Sequence, residues 1–292
     1  MKIPSSSTFL ALAAADLAAA ATYKATARDS AGNAVDIKTF TLPVSSAINN
    51  GALTKQTVNS SSSKNKIKGK RQDVTYSANW CGAVQLSPPS GTWDYVAGTF
   101  PVATISSDTP DGTGPNDEYF LYEWVGIDGY SSSSSCSGLI QSGTGYYIQE
   151  SSSTLFVWAY FYPSPNLYGL NIPAKVGDTF KIELTVDSDS TGTAVITNVS
   201  QDVTITASID GTGEGVLCGE TAEWIAENPL FSSEAFPNFS TIDFTSCSAS
   251  TSTGATGDIA GTTYIYGEDN DGNTACEAVE LSPTELEVYF SA

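Results

Sequence analysis

The run Leu155-Phe156-Val157-Trp158-Ala159-Tyr160-Phe161-Tyr162 decides the fold class. β-Branched and aromatic residues dominate it, and clusters of Ser and Pro bound it, so it reads as a strand. Successive side chains of a strand point to opposite faces. Here both faces carry large rings, so one of them must line something other than the main core. An aromatic-lined groove is the simplest answer.

Similar apolar runs recur through the chain. Strands are expected at Tyr95 to Val102, Tyr119 to Ile127, Leu139 to Gln141, Tyr146 to Gln149, Thr154 to Tyr162, Thr179 to Val186, Thr193 to Asn198 and Asp202 to Ser208, with Gly, Asp, Ser and Pro between them. Many strands with short turns imply an all-β, antiparallel sandwich or barrel. The segment Thr221 to Asn228 reads equally as a helical turn, capped by Thr221 and stopped by Pro229, or as a strand.

Charge divides the 292 residues into blocks. From Thr22 to Arg71 nine bases meet two acids, a charge of +7, whereas from Gln72 onward two lysines meet 29 acids, a charge of −27. The boundary is the dibasic pair Lys70-Arg71. Residues 1–21 begin with Lys2 and carry a modest apolar stretch ending in alanines, interrupted by Asp16, as a signal peptide would. The expected organisation is therefore a signal peptide at 1–21, a basic pro-segment at 22–71 and an acidic mature domain at 72–292. Within the pro-segment, Thr22 to Ile48 suits a strand pair and Ser45 to Ser63 a polar linker. A convertase is expected to cut after Lys70-Arg71.

Five cysteines lack both C-x-x-C pairs and metal-finger spacing, which favours disulfides in an oxidising compartment. Asn59, Asn198 and Asn238 head N-x-S sequons and are glycosylation candidates. No later apolar stretch approaches the roughly 18 residues that would span a bilayer. The expectation is a secreted monomer with no metal or cofactor. Its strong negative charge disfavours nucleic acid and anionic membranes as partners.

The chain contains no histidine. That removes Ser-His-Asp and Cys-His catalysis and histidine-ligated zinc together. Carboxylates, amides, hydroxyls and backbone N–H groups remain. No two Asp-Thr/Ser-Gly triplets on matching strands suggest a pepsin-like dyad.

Four motifs occur in a fixed order: Asn79-Trp80-Cys81-Gly82-Ala83-Val84, Trp124-Val125-Gly126-Ile127-Asp128-Gly129, Leu139-Ile140-Gln141-Ser142-Gly143, and Cys218 followed by Ala222-Glu223-Trp224-Ile225. Together they resemble the glutamic peptidases, or eqolisins, of filamentous fungi. The resemblance implies a concanavalin-like, jelly-roll sandwich and an acid endopeptidase acting on polypeptide substrates. It makes Gln141 and Glu223 the catalytic pair: Glu223 takes a proton from the attacking water, and Gln141 donates its amide to the oxyanion. Taken alone, Gln141 would read as an amide serving strand backbone and Glu223 as a surface or capping carboxylate. Trp124 and Asp128 are implied as support, and Trp158 and Tyr160 as cleft residues.

Two departures from the family pattern stand out. Tyr160 replaces an expected Glu, and Gly145 an expected Asp, which leaves pH optimum and subsite preference open. The resemblance also implies a Cys136–Cys218 disulfide joining the catalytic strands. Cys247 with Cys276 is the next most economical pair, leaving Cys81 free.

The basic pro-segment is expected to mask the acidic domain at neutral pH and to leave in acid, with Lys64 to Arg71 contributing most. Crowded carboxylates should also make the mature domain more stable in acid than at neutrality. The alternative reading is a secreted carbohydrate-active or carbohydrate-binding sandwich using Glu118 and Glu123 in an aromatic groove.

Overall fold

The structure is a computed structural model describing residues 20–43, 73–106, 118–130, 135–149, 152–229, 236–269 and 271–291. Residues 1–19 of the expected signal peptide, Asn59 and the expected cleavage site at Lys70-Arg71 lie outside the described residues.

The described residues form strands and no helix. In chain order, the N-terminal block supplies β1 (Thr22–Asp29) and β2 (Lys38–Pro43). There follow β3 (Asp73–Ser77), β4 (Trp80–Leu86), β5 (Trp93–Pro101), β6 (Glu118–Asp128), β7 (Leu139–Gln149), β8 (Ser152–Tyr162) and β9 (Asn166–Asn171). Next come β10 (Thr179–Val186), β11 (Thr191–Asn198), β12 (Val203–Asp210) and β13 (Thr221–Glu227). The chain ends with β14 (Ile242–Thr251), β15 (Thr256–Gly257), β16 (Thr263–Glu268), β17 (Thr274–Ser282) and β18 (Glu285–Phe290).

Two layers result. The first runs β15-β14-β5-β10-β11-β12-β1, and the second runs β18-β17-β16-β4-β13-β6-β7-β8-β9-β2, with β3 parallel to β16. Strand β14 belongs to both: Ile242 to Phe244 pair with β18, and Thr245 to Thr251 with β5. It therefore stitches one flank of the sandwich. Alternation along β13 shows how the layers are filled. Ala222, Trp224 and Ala226 enter the main core between the sheets, together with Val125, Ile140, Val157 and Phe180. Ile225, on the opposite face, joins a second apolar cluster with Trp80, Trp124, Trp158 and Tyr160. That second cluster is the aromatic face foreshadowed by the 155–162 run.

Three expectations are corrected. Leu139 to Gln141 and Tyr146 to Gln149 are one strand, because the Ser142 to Gly145 stretch that resembles a turn stays extended and pairs on both sides. The two N-terminal strands do not form a pair; β1 adds to β12 and β2 to β9, on different sheets. The disulfides are Cys136–Cys218 and Cys81–Cys276, so Cys276 is not bonded to Cys247, which is free and buried. The physical reason is that β4 and β17 both flank β16, bringing Cys81 and Cys276 together across 195 residues of sequence.

Asn198 is also unsuited to carry a glycan in the folded domain. Its side chain is buried and its Nδ2 donates to Asp178 Oδ2 at 3.0 Å and to the Pro173 carbonyl at 3.3 Å. Asn238 is half-buried, and its carbonyl accepts the Ser106 N–H at 2.7 Å.

Candidate active site

Strand registry lines up the candidate residues in cross-strand rows on the face turned away from the main core. Val84, Glu223, Gly126, Gln141 and Tyr160 make one row, each opposite the next. Two residues along lie Gly82, Ile225, Trp124, Gly143, Trp158, Gly169 and Phe40. A third row holds Trp80, Glu227, Tyr122, Gly145 and Phe156. Large side chains alternate with glycine: rings of Trp124, Phe156 and Phe40 crowd Gly126, Gly145 and Gly169, and neighbouring backbone carbonyls crowd Gly82 and Gly143.

Gly126 separates Glu223 from Gln141. Two strand spacings put the backbones of the pair about 10 Å apart, with no side chain between them. A Cβ at Gly126 would stand 2.7 Å from Trp124 Cζ3 and 3.1 Å from the Ile140 carbonyl, so the glycine lets the indole cover it. The two side chains thus flank one strand on the same face, with the Trp124 indole over the Gly126 between them.

Both are enclosed. Glu223 is fully buried and Gln141 nearly so. Among the described residues, neither Glu223 carboxylate oxygen has a hydrogen-bond partner, nor does Gln141 Oε1. Thr221 lies beside Glu223 on the same face of β13, and its Oγ1 is unpaired by hydrogen-bond geometry. Buried polar atoms are nearly always paired in folded proteins, so a group of orphans on one face sets this place apart from the rest of the interior. Burial holds the Glu223 carboxyl well above the usual carboxylate range, opposed by the nearby Thr221 hydroxyl and reinforced by the negative Asp128.

Asp128 does not touch the pair directly. Its Oδ2 accepts the N–H groups of Cys218 and Gly219 at 2.7 and 2.8 Å, and its Oδ1 accepts that of Glu220 at 2.7 Å. Burial raises its pKa while these amides pull it back. Asp128 sits at the end of β6 with φ at 69°, so a left-handed residue clamps the loop that leads into β13. The Cys136–Cys218 disulfide ties that loop to the lead-in of β7. The starts of both strands bearing the pair are therefore fixed to one another.

Trp124 donates its indole N–H to Glu227 Oε2 at 2.8 Å and meets Trp80 edge-on at 5.0 Å. Glu227 also accepts from Asn79 Nδ2 at 3.3 Å, and burial pushes its carboxyl up to about 7. The sequence reading missed Glu227. Its signal was the period of two from Glu223, which is visible only once Thr221 to Glu227 is known to be a strand. Glu123, also pushed up to about 7 by burial, points the other way, into the main core. It accepts the Ala103 N–H at 2.7 Å and the Thr144 hydroxyl at 2.6 Å. It is thus on the wrong face for a sugar in the aromatic cluster.

Rings occupy both departures from the family pattern. Phe156 covers Gly145 so closely that a Cβ there would lie 2.5 Å from its Cζ. Tyr160 is buried and donates its hydroxyl to the Ser164 carbonyl at 2.6 Å. Trp158 is buried too, with its Nε1 unpaired. A cavity of about 610 Å³ opens beside the row at Thr221, bounded by Leu86, Tyr130, Cys218 and Glu220. Gln141 and Glu223 do not line it.

The Peptidase A4 family model matches residues 78–289, most of the chain and all four motifs. The chain belongs to the Peptidase A4 family, the glutamic peptidases. Within this family, aspergillopepsin-2 from Aspergillus niger is 29% identical over 197 residues, covering 62% of this chain and 67% of that protein. Scytalidopepsin B from Scytalidium lignicola is 27% identical over 158 residues, 54% of each chain. Among solved structures, scytalido-glutamic peptidase with a transition-state analog inhibitor superposes with a TM-score of 0.60 at 25% identity, covering 73% of this chain and 98% of that one. Aspergilloglutamic peptidase from Aspergillus niger gives a TM-score of 0.52 at 28% identity, covering 59% of this chain and 99% of that one. The Peptidase A4 sandwich is thus shared, whereas β1 and β2 precede the matched region.

Proposed function

We propose that this Peptidase A4 member is a secreted acid endopeptidase in which Glu223 activates water and Gln141 stabilises the oxyanion. The observation that carries this reading is that the unpaired Glu223 carboxylate oxygens and the unpaired Gln141 Oε1 lie in one cross-strand row on either side of Gly126, on strands whose starts are tied together. A water held between them would be hydrogen-bonded by both. Glu223 accepts its proton as the oxygen attacks the scissile carbonyl, and the Gln141 amide donates to the developing oxyanion. Glu223 then returns the proton to the leaving amine, so no covalent intermediate forms.

Burial alone keeps the Glu223 carboxyl protonated at pH 3 to 5, so the general-base step requires bound water and substrate to donate hydrogen bonds to its unpaired oxygens and bring that pKa down. A neutral amide donates at any pH, which suits Gln141 to acidic conditions. Polypeptide as substrate is supported by the relative solved with a transition-state analog inhibitor. Secretion is supported by two disulfides, bonds that persist in oxidising compartments.

Digestion of an acid-denatured protein at pH 3 to 5 tests the proposal. Glu223→Gln and Gln141→Ala should each lower kcat by about 100-fold or more, with unchanged circular dichroism. Undiminished proteolysis by both variants would overturn it.

A further inference from the structure

The N-terminal block is built into the sandwich more deeply than a disposable leader needs to be. All eight residues of β1 are in register with β12, from Thr22 opposite Asp210 to Asp29 opposite Val203. All six of β2 are in register with β9, from Lys38 opposite Asn171 to Pro43 opposite Asn166. These are the last strands of the two layers on the flank away from β14. An unpaired edge is a row of free backbone donors and acceptors that invites other strands, and the outer edges of β12 and β9 are each paired here by residues of the same segment, which become the new edges.

Side chains add to the backbone pairing. Tyr23 of β1 stacks on Tyr168 of β9 at 5.0 Å and 7°, spanning from one layer to the other. Its hydroxyl accepts the Phe161 N–H at 3.2 Å and donates to the Asn166 carbonyl at 3.4 Å. Ala27 is buried in the main core. Phe40 lies on Gly169 and meets Phe156 edge-on at 5.6 Å. The three atoms nearest to a Cβ built on Gly169 all belong to the Phe40 ring, the closest at 2.4 Å. Gly169 is a notch shaped by what occupies it.

The row arithmetic gives this placement its meaning. Phe40 ends the row that contains Trp124 and Trp158, and Leu42, opposite Leu167, joins the same aromatic cluster as Tyr160. Strand β2 therefore extends the sheet that carries Gln141 and Glu223 by one strand.

We propose that residues 21–43 are a clasp that remains bound after the chain is cut at Lys70-Arg71, so that the processed protein is a two-chain complex whose active-site sheet ends in β2. Its described contacts are mainly strand pairing, ring packing and hydrogen bonds between neutral groups, with the exposed Ser30 hydroxyl donated to Asp202 at the rim. No ion pair joins it to the rest of the chain among the described residues. Acid spares these contacts and weakens only those made to carboxylates, namely Ser30 with Asp202, Lys24 facing Asp210, and the Ala21 N–H facing Glu214. Charge attraction from the segment around Lys64 to Arg71 would weaken in acid, but the clasp would hold. The retention rests on the fold alone, and only the role of β2 at the end of the site rests on the function proposed above.

The test is to cut the purified full chain at Lys70-Arg71 with a dibasic-specific endoprotease, verify scission on a denaturing gel, and pass the product over a sizing column at pH 7 and pH 4. The N-terminal fragment is expected to co-elute with the remainder at both pH values. Elution of the fragment as a separate species at either pH would overturn the proposal, whether or not the protein digests anything. Gly169→Ala places a methyl against the Phe40 ring, which supplies the three atoms nearest to it. It and Phe40→Ala should weaken retention of the fragment at least 10-fold. Retention equal to that of the unsubstituted chain in both variants would overturn the assignment of this notch as the anchor.

Discussion

Trp124 and Glu227 are joined by an indole N–H donated to a buried carboxyl at 2.8 Å, and the carboxyl stands two rows from Glu223 on the same face of the sheet. The indole that covers Gly126, between the proposed catalytic residues, is thus held by a group whose own ionisation falls near neutrality. An ionised Glu227 would place charge among Tyr122, Trp80 and Trp124.

Glu227→Gln keeps an acceptor for the Trp124 N–H and removes the titration. The upper limb of the pH–activity profile should move to higher pH by about one unit, while Glu227→Ala should lower kcat across the profile by about 10-fold through a loosened indole. Steady-state kinetics from pH 3 to pH 8 decide between this and a limb that stays in place.

Stability should fall as pH rises. Glu123 and Glu227 are pushed from 4.5 to about 7 by burial, so between these values the folded chain holds protons that the unfolded chain has released. Their contribution is complete below about pH 4.5 and is lost as pH climbs through 7, on the order of 3 kcal/mol for each group. Melting temperatures measured from pH 4 to pH 8 should decline, and a steady rise would contradict the assignment.

Asp128→Asn leaves one acceptor oxygen for three converging N–H groups. It should destabilise the protein by about 2 to 3 kcal/mol and reduce kcat more than it raises KM, because the loop leading into β13 loses its anchor. Urea unfolding combined with kinetics reads both effects.

Gly126→Ala drives a methyl against Trp124 and the Ile140 carbonyl. A loss of about 1 to 3 kcal/mol is expected, with a fall in activity out of proportion to it, since the methyl would stand between Glu223 and Gln141. Activity equal to that of the unsubstituted chain at a temperature where both are folded would refute the need for a glycine beneath the Trp124 indole between the pair.

Part of this architecture is legible in residue order and part is not. The 155–162 run shows both the strand and the aromatic face, because a period of two with rings on both sides leaves one set of rings with no place in the main core. The motifs around Trp124, Asp128, Gln141 and Glu223 point to residues that registry then places on neighbouring strands. Registry itself is non-local, so neither the row through Gly126 nor the place of Glu227 could be seen. The Cys81–Cys276 bond was missed for the same reason, since sequence spacing favours short loops and β16 brings distant strands together. Gly143 and Gly145 resemble a turn but lie within an unbroken strand, where Gly143 admits the Glu123 carbonyl and Gly145 the Phe156 ring.

The strand that changes layers at Phe244 has a mechanical consequence. One side of the molecule is a hinge made of a single strand shared by both layers, and the other is a latch made of two separate edge strands joined through residues 30–37. The layers cannot part at the hinge without breaking β14 out of both, so transient opening has to start at the latch. Amide exchange should therefore report a gradient across each sheet, fastest in β1 and β2 and slowest near β14. The molecule would then open like a book, with its spine at one flank and the working face nearer the fore-edge.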